Sequence, residues 1–158
     1  MTLKKILMLA FTATLAFGQG TPPKLSASAI QIEQVDVGDV AIPMEFRVAI
    51  YESLLERVRG TGKFQQVFRS GDQRAADVKD LVVLRTKVEK FQEGSRTKRE
   101  VTTVSGATKV DVSATLTGPD SHVLLDQKLT GKVRFFGDNL GATNDLAKRI
   151  AKVLEQRF

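Results

Sequence analysis

The chain has 158 residues, no cysteine and a formal net charge of +6, and 42% of its residues are hydrophobic. This length fits one domain with a real core, which excludes an intrinsically disordered chain outside short segments. The lack of cysteine excludes disulfides, thiolate metal ligands and lipidation on a cysteine.

The first 18 residues have the pattern of an export signal. Lys4 and Lys5 precede an apolar run over residues 6–17, and small residues stand at Ala16 and Gly18, where signal cleavage favours them. The run is shorter than the roughly 20 apolar residues of a membrane-spanning helix, which argues against a retained anchor. We predict a cleaved signal peptide and a periplasmic or secreted protein, whose net charge falls from +6 to +4 because two lysines leave.

Residues 19–28 are small and polar and include two prolines, which predicts a flexible linker. A single α+β domain is predicted over residues 29–158. Its first strand is predicted over residues 29–37, with a bulge or twist near Gln34, because the apolar positions change parity there. Those positions are Ile30, Ile32, Val35 and Val37.

A helix is predicted to begin at Pro43 and to continue to Arg59. Its apolar residues recur at helical spacing, at Phe46, Ala49, Ile50, Leu54 and Val58. The glycines at positions 60 and 62 end it. A short strand is predicted over residues 64–69, and residues 70–79 are polar enough to form a loop.

Residues 81–136 predict a meander of three long antiparallel strands, because apolar and polar residues alternate with a period of two. The apolar positions in the three strands are Val82, Leu84 and Val88, then Val110, Val112, Ala114 and Leu116, then Val123, Leu125, Leu129, Val133 and Phe135. The turn at residues 118–121 joins the last two strands, and it is too short for a crossover helix.

The tail predicts a second amphipathic helix, with Asp138 or Asn139 as its N-cap. Its apolar stripe comprises Ala147, Ile150, Ala151, Leu154 and Phe158. The elements then follow the order strand, helix, four strands, helix. We predict a two-layer α+β sandwich, in which a mostly antiparallel five-stranded sheet carries both helices on one face.

Catalytic and metal-binding patterns are weak. The glycine-rich segment 60–63 resembles the end of a phosphate-binding loop, but it follows a helix where that motif precedes one. His122 is the single histidine and is predicted to be a solvated turn residue. No catalytic, metal or cofactor-binding residue and no cofactor is therefore predicted.

Two groups of aspartates are the remaining titratable candidates. Asp72, Asp77 and Asp80 share one polar loop, and Asp36 and Asp39 flank a turn. Paired carboxylates would suit a glycosidase, but neighbouring apolar residues that would raise a pKa are missing. Solvated loop residues are the favoured interpretation.

A basic turn after the first long strand is the most distinctive local feature. Its bases are Lys87, Lys90, Arg96, Lys98 and Arg99. A turn of this kind can present cations to phosphate or carboxylate, although a solvated hairpin connection is the alternative. Phe91 is the one aromatic residue nearby, which argues against nucleic-acid binding.

The segments 91–99 (FQEGSRTKR) and 106–112 (GATKVDV), with the closing helix, resemble a family of small exported bacterial proteins with a domain of unknown function. That family is similar in architecture to the amino-terminal domain of TolB and to envelope-assembly lipoproteins. The resemblance covers residues 29–158 and implies an α+β fold without enzyme activity or known site residues.

Two functions remain open. The first is a non-catalytic envelope module for protein binding or assembly, whose partner is an envelope protein or an anionic surface, with the basic turn or an exposed sheet edge as its contact. The second is a small envelope hydrolase acting on a glycan or an ester. A pocket flanked by two carboxylates would favour the second.

Overall fold

The computed structural model describes residues 24–95, 106–133 and 139–158 and contains a five-stranded sheet with two helices. The elements in chain order are β1 (Ala29–Ile32), α1 (Met44–Gly60), β2 (Gln66–Arg69), a 3-10 helix (Gln73–Asp77), β3 (Leu81–Gln92), β4 (Thr108–Thr117), β5 (Val123–Val133) and α2 (Gly141–Arg157). This order confirms the predicted α+β fold. The predicted signal peptide and most of the predicted linker lie outside the described residues.

The sheet is mixed, with strand order β2-β1-β3-β4-β5. β1 is parallel to both of its neighbours, and α1 is the crossover that parallel pairing of β1 with β2 requires. The strands β3, β4 and β5 form the predicted antiparallel meander. They have 12, 10 and 11 residues, against four in β1 and four in β2, so antiparallel pairing dominates by length.

Both helices lie on one face of the sheet. Alternate residues of the sheet pack in one cluster with the apolar stripes of both helices. The fully buried members with the largest side chains include Ile30, Ile32, Ile50, Leu54, Leu84, Leu116, Leu146, Ile150 and Leu154. The predicted two-layer arrangement is therefore confirmed.

Among the described residues, a second hydrophobic cluster lies on the opposite face at its β1–β2 end. Ala29, Phe68 and Ala75 form this small cluster, and Ala75 belongs to the 3-10 helix. The prediction of a loop over residues 70–79 was wrong for this segment. The Asp72 side chain accepts a hydrogen bond from the backbone N–H of Arg74 at 3.1 Å and thereby caps a short helix. The polar composition of the segment gave no sign of this helix.

The parity change expected near Gln34 is present. β1 ends at Ile32, and the chain rejoins β3 through a single bridge between Asp36 and Lys87. Ile32 and Val35 are both buried, although an uninterrupted strand would direct them to opposite faces. The irregularity therefore keeps both side chains in the core.

A second irregularity, a β-bulge, lies in β3 at Glu89. Val88 pairs with Val112 and Lys90 pairs with Asp111, so Glu89 is the extra residue. After the bulge, Phe91 turns toward the helices, where its ring lies 4.7 Å from that of Phe46 in an edge-on arrangement. Lys90 consequently lies on the open face.

The amino terminus of α2 departs from the prediction. Asp138 lies outside the described residues, and the Asn139 side chain does not cap the helix. Its amide oxygen accepts the Thr108 hydroxyl at 2.9 Å, and its amide nitrogen donates to Glu93 Oε1 at 3.2 Å. Asn139 failed as a cap because its side chain joins the ends of β3 and β4 instead.

Candidate binding surface on the open face of the sheet

Beside a row of Val83, Thr117 and Val123, the open face of β3, β4 and β5 carries four polar rows of side chains that cross the three strands. From β3 through β4 to β5, the rows are Arg85, Thr115 and Asp126; Lys87, Ser113 and Lys128; Lys90, Asp111 and Thr130; and Gln92, Lys109 and Lys132. We call this surface the outer trough.

The central strand of the outer trough is lower than its flanks. Ser113 and Thr115 on β4 have short side chains and are half-buried, whereas Lys87 on β3 and Lys128 on β5 are long and exposed. Neighbouring strands lie about 4.8 Å apart, so the flanking strands are roughly 10 Å apart, and the four rows extend over roughly 20 Å. The shallow part of this surface covers the two rows that contain Ser113 and Thr115, because β4 carries Asp111 and Lys109 in the other two rows.

The acidic groups within the outer trough are bound by their neighbours. Asp111 forms an ion pair with Lys109 at 3.0 Å and accepts a short hydrogen bond from the Thr130 hydroxyl. Partial burial raises the pKa of Asp111, but the Thr130 and Lys109 contacts outweigh it and hold the pKa below its usual value. Asp126 accepts the hydroxyls of Ser113 and Thr115 at 3.4 Å.

Four lysines of the outer trough are not ion-paired. Among the described residues, no carboxylate oxygen lies within 4.0 Å of the ammonium groups of Lys87, Lys90, Lys128 or Lys132. Asp36 is the neighbour of Lys87 on the β1 side, but its carboxylate accepts the Gly38 N–H at 2.9 Å. Lys90 lies opposite Asp111 and also helps to lower the pKa of Asp111, so Lys87, Lys128 and Lys132 are the lysines left for an external anion.

The predicted basic turn is described only in part. Lys87 and Lys90 lie on β3 and are exposed on the open face, whereas Arg96, Lys98 and Arg99 lie outside the described residues. The turn itself stays a prediction. Sequence reasoning missed Lys109, Lys128 and Lys132, which only the strand register brings beside the β3 lysines. Their regular placement at polar positions of predicted strands was the available signal.

The other candidates of the sequence have local structural roles. His122 is an exposed turn residue, as predicted, and its N–H donates to Asp120 at 3.1 Å. α1 ends at Gly60, as predicted, and Gly62 has a φ of +64°. In the described ranges, no three His, Asp or Glu side chains are grouped to hold a metal, and no helix has the length and apolar character to cross a membrane.

A pocket of about 220 Å³ lies beside the first turns of α1. Its single lining carboxylate is Glu52. Each Glu52 oxygen accepts a hydrogen bond of 2.7 Å from one of the two terminal nitrogens of Arg69. This bond lowers the pKa of Glu52. The Arg69 guanidinium also lies 5.7 Å from the centre of the Tyr51 ring. The pocket thus offers no second carboxylate for glycoside hydrolysis.

Asp80 anchors the amino-terminal segment to the start of β3. Its carboxylate accepts the Ser28 N–H at 2.6 Å and the Ser28 hydroxyl at 2.5 Å. The hydroxyl bond, followed by the backbone bond, lowers the pKa of Asp80. Asp72 is similarly held by Arg74, which lowers the pKa of Asp72. Both carboxylates therefore act in local structure as anions.

Replacing Asp80 with asparagine should lower stability only where the carboxylate is ionised. The folded pKa lies below the unfolded one, so this contribution is present above the unfolded pKa and disappears as pH falls through the folded pKa. In urea, the free energy of unfolding of the variant should be lower than that of wild type by a constant amount near pH 7. This difference should shrink below about pH 4. Asp77→Asn, at an exposed site at the end of the 3-10 helix, is the control. A pH-independent difference would contradict the anchor.

Comparisons with known proteins give the fold but no family. No family model and no curated protein matches the chain. PelC of Paraburkholderia phytofirmans, solved as a dodecamer, superposes with a TM-score of 0.63 at 11% identity, covering 88% of this chain and 96% of PelC. A hypothetical protein of Chlamydia trachomatis superposes with a TM-score of 0.51 at 7% identity, covering 80% and 93%.

A Xanthomonas campestris protein of the DUF330 family model is also similar, with a TM-score of 0.48 at 12% identity, covering 85% of this chain and 82% of that one. At this score the likeness carries no conclusion about function. The solved structures that share the fold thus include proteins of unknown function. The resemblance to the amino-terminal domain of TolB stays a prediction.

Proposed function

We propose that the protein is a non-catalytic assembly module of the bacterial cell envelope, exported by its amino-terminal signal. Its partner is a second copy of the chain, which adds a strand to the outer edge of β5. The observation that carries the proposal is the long backbone edge of β5, to which no other described strand is paired.

The direction of the β5 backbone groups follows from one hydrogen bond. The Lys132 N–H donates to Asp145 Oδ2 of α2 at 3.0 Å, so it points away from β4. In an antiparallel ladder, alternate residues direct both backbone groups to the same side. Asp126, Lys128 and Thr130 share the parity of Lys132 and therefore also direct their groups outward. Such an edge accepts an added strand readily.

Two further observations support the proposal. PelC, which has the same fold over nearly its whole length, was solved as a dodecamer, so this architecture is compatible with self-assembly. Of the five aspartates considered for catalysis, Asp72 and Asp80 are occupied by local hydrogen bonds. The hydrolase alternative has no comparable support in the described residues.

Lys128→Pro tests the edge. Proline removes the outward N–H of Lys128 without removing a bond to β4, so strand addition should be blocked while the sheet persists. We expect light scattering to give the mass of an oligomer for wild type and of a monomer for Lys128→Pro. Lys128→Ala, which keeps the N–H, is the matched control and should assemble normally.

The result that would overturn the proposal is a wild-type chain that stays monomeric at all concentrations, or a folded Lys128→Pro variant that assembles fully. Should proline unfold the chain, amide hydrogen exchange of the wild-type protein replaces it. Exchange at Asp126, Lys128 and Thr130 should slow on assembly, because those N–H groups become hydrogen-bonded. Unchanged amide exchange at these residues in the oligomer would exclude the β5 edge as the assembly contact.

A further inference from the structure

We infer that the outer trough binds a linear anionic polysaccharide, a glycan with repeated carboxylate or phosphate groups, lying along β4. This inference concerns the face of the sheet rather than its edge and is independent of the proposed assembly. It rests on the shape, charge and chemistry of one surface.

The shape favours a linear ligand. Ser113 and Thr115 form a low floor on β4, which is flanked by Lys87 and Lys128 in the Ser113 row and by Arg85 and Asp126 in the Thr115 row. The flanking strands are roughly 10 Å apart, which is the width of an extended polymer chain rather than of a folded protein surface. A ligand placed along the floor would have a lysine on each side where it crosses Ser113.

The charge favours an anion. Lys87 and Lys128 lie in the same cross-strand row, on either side of Ser113. Lys90 and Lys132 extend the two flanks in the same direction along the strands. Each ammonium group is a compact charge on a flexible stem, so it can follow anionic groups whose spacing along a glycan differs from that of the strands. Bonds between ionised partners are the stronger class of hydrogen bond.

The chemistry of the floor separates a glycan from other polyanions. Hydroxyl groups of Ser113 and Thr115 can exchange hydrogen bonds with sugar hydroxyls, and Asp126 already accepts both weakly at 3.4 Å. The outer trough contains no aromatic side chain on which a nucleotide base could stack. Its four rows also contain no aliphatic side chain, and Val83 and Val123 lie beyond them in the row next to Arg85.

The test uses polygalacturonate, a linear polyuronate, and its highly methyl-esterified form, in which the carboxylates are neutral. We expect the purified protein to bind polygalacturonate with an affinity that falls as salt rises, and to bind the ester at least tenfold more weakly, about the effect of one or two charged contacts. Equal binding of both glycans would overturn the inference.

A double charge reversal locates the ligand. Lys87→Glu with Lys128→Glu should weaken polygalacturonate binding by roughly tenfold or more, because both flanks of one row become acidic. Lys79→Glu with Lys152→Glu changes the net charge equally at exposed residues outside the trough and should retain most of the affinity. Circular dichroism verifies the fold of both variants. Equal losses in the two variants would mean nonspecific attraction and would overturn the assignment.

Vesicles of phosphatidylglycerol provide the competing polyanion. Binding to them should be weaker than to polygalacturonate and should not depend on the row of Lys87 and Lys128. Vesicle binding of equal strength with the same dependence on those lysines would instead assign the trough to a lipid surface. If the glutamate variant does not fold, Lys87→Gln with Lys128→Gln removes the charges without reversing them, and unchanged affinity would overturn the inference.

Discussion

Gly131→Ala is expected to reduce the free energy of unfolding by at least about 3 kcal/mol. A Cβ atom at this position would lie 2.2 Å from the carbonyl oxygen of Ala142 and 2.6 Å from Cβ of Leu146. Both atoms belong to the first half of α2, so the helix would have to move away from β5. Urea denaturation followed by circular dichroism measures the loss.

Gly60→Ala is the matched control for this substitution. An added Cβ at Gly60 would meet no atom within 4 Å, and the residue is the last of α1. Alanine is the better helix former by about 1 kcal/mol, so the control should be neutral or slightly stabilising. An unfolding midpoint for Gly131→Ala equal to that of wild type would show that α2 does not lie against β5 as described.

Leu84→Ala should cost about 2–5 kcal/mol of unfolding free energy, since it leaves a cavity in the main core. Leu84 is 0% exposed and lies on β3 in the centre of the sheet. Its neighbour Arg85 lies on the opposite face and is exposed. Its guanidinium donates one hydrogen bond to the Thr117 hydroxyl at 3.2 Å, so Arg85→Ala serves as the control and should cost no more than about 1 kcal/mol.

Equilibrium urea unfolding of the two variants compares adjacent residues on the two faces of one strand. Similar losses would mean that both faces of β3 are buried, which would contradict an open trough. A large loss at Leu84 with little change at Arg85 would agree with the alternation of the strand. The same pair of variants thereby tests the fold and the exposure of the proposed binding surface.

Local periodicity was sufficient to predict most of the elements. The alternation of Val110, Val112, Ala114 and Leu116 with polar residues marks β4, and each of these four side chains is buried. The stripe of Ala147, Ile150, Ala151 and Leu154 likewise marks α2 and is buried in full. These patterns can be recognised in the sequence because one face of each element contacts the core. Positions on that face are therefore apolar, and positions on the other face are polar.

Features that depend on distant parts of the chain could not be predicted from the sequence. The insertion of β1 between β2 and β3 is set by packing across the sheet, and a four-residue strand carries too little pattern to show it. Asn139 has the character of a helix cap, yet Thr108, 31 residues earlier, holds its side chain. The binding surface was predicted only at Lys87 and Lys90, because the contributions of Lys128 and Lys132 depend on strand register.

The extra residue at Glu89 gives β3 two orientations within a single strand. Before it, even-numbered side chains such as Val88 point toward the helices, and after it the odd-numbered Phe91 does so. If Glu89 were paired in a regular ladder without the bulge, Lys90 would face the helices and Phe91 would face the open side. The ring pair beneath α1 and one cation of the outer surface therefore both depend on the bulge that sets Glu89 outside the ladder.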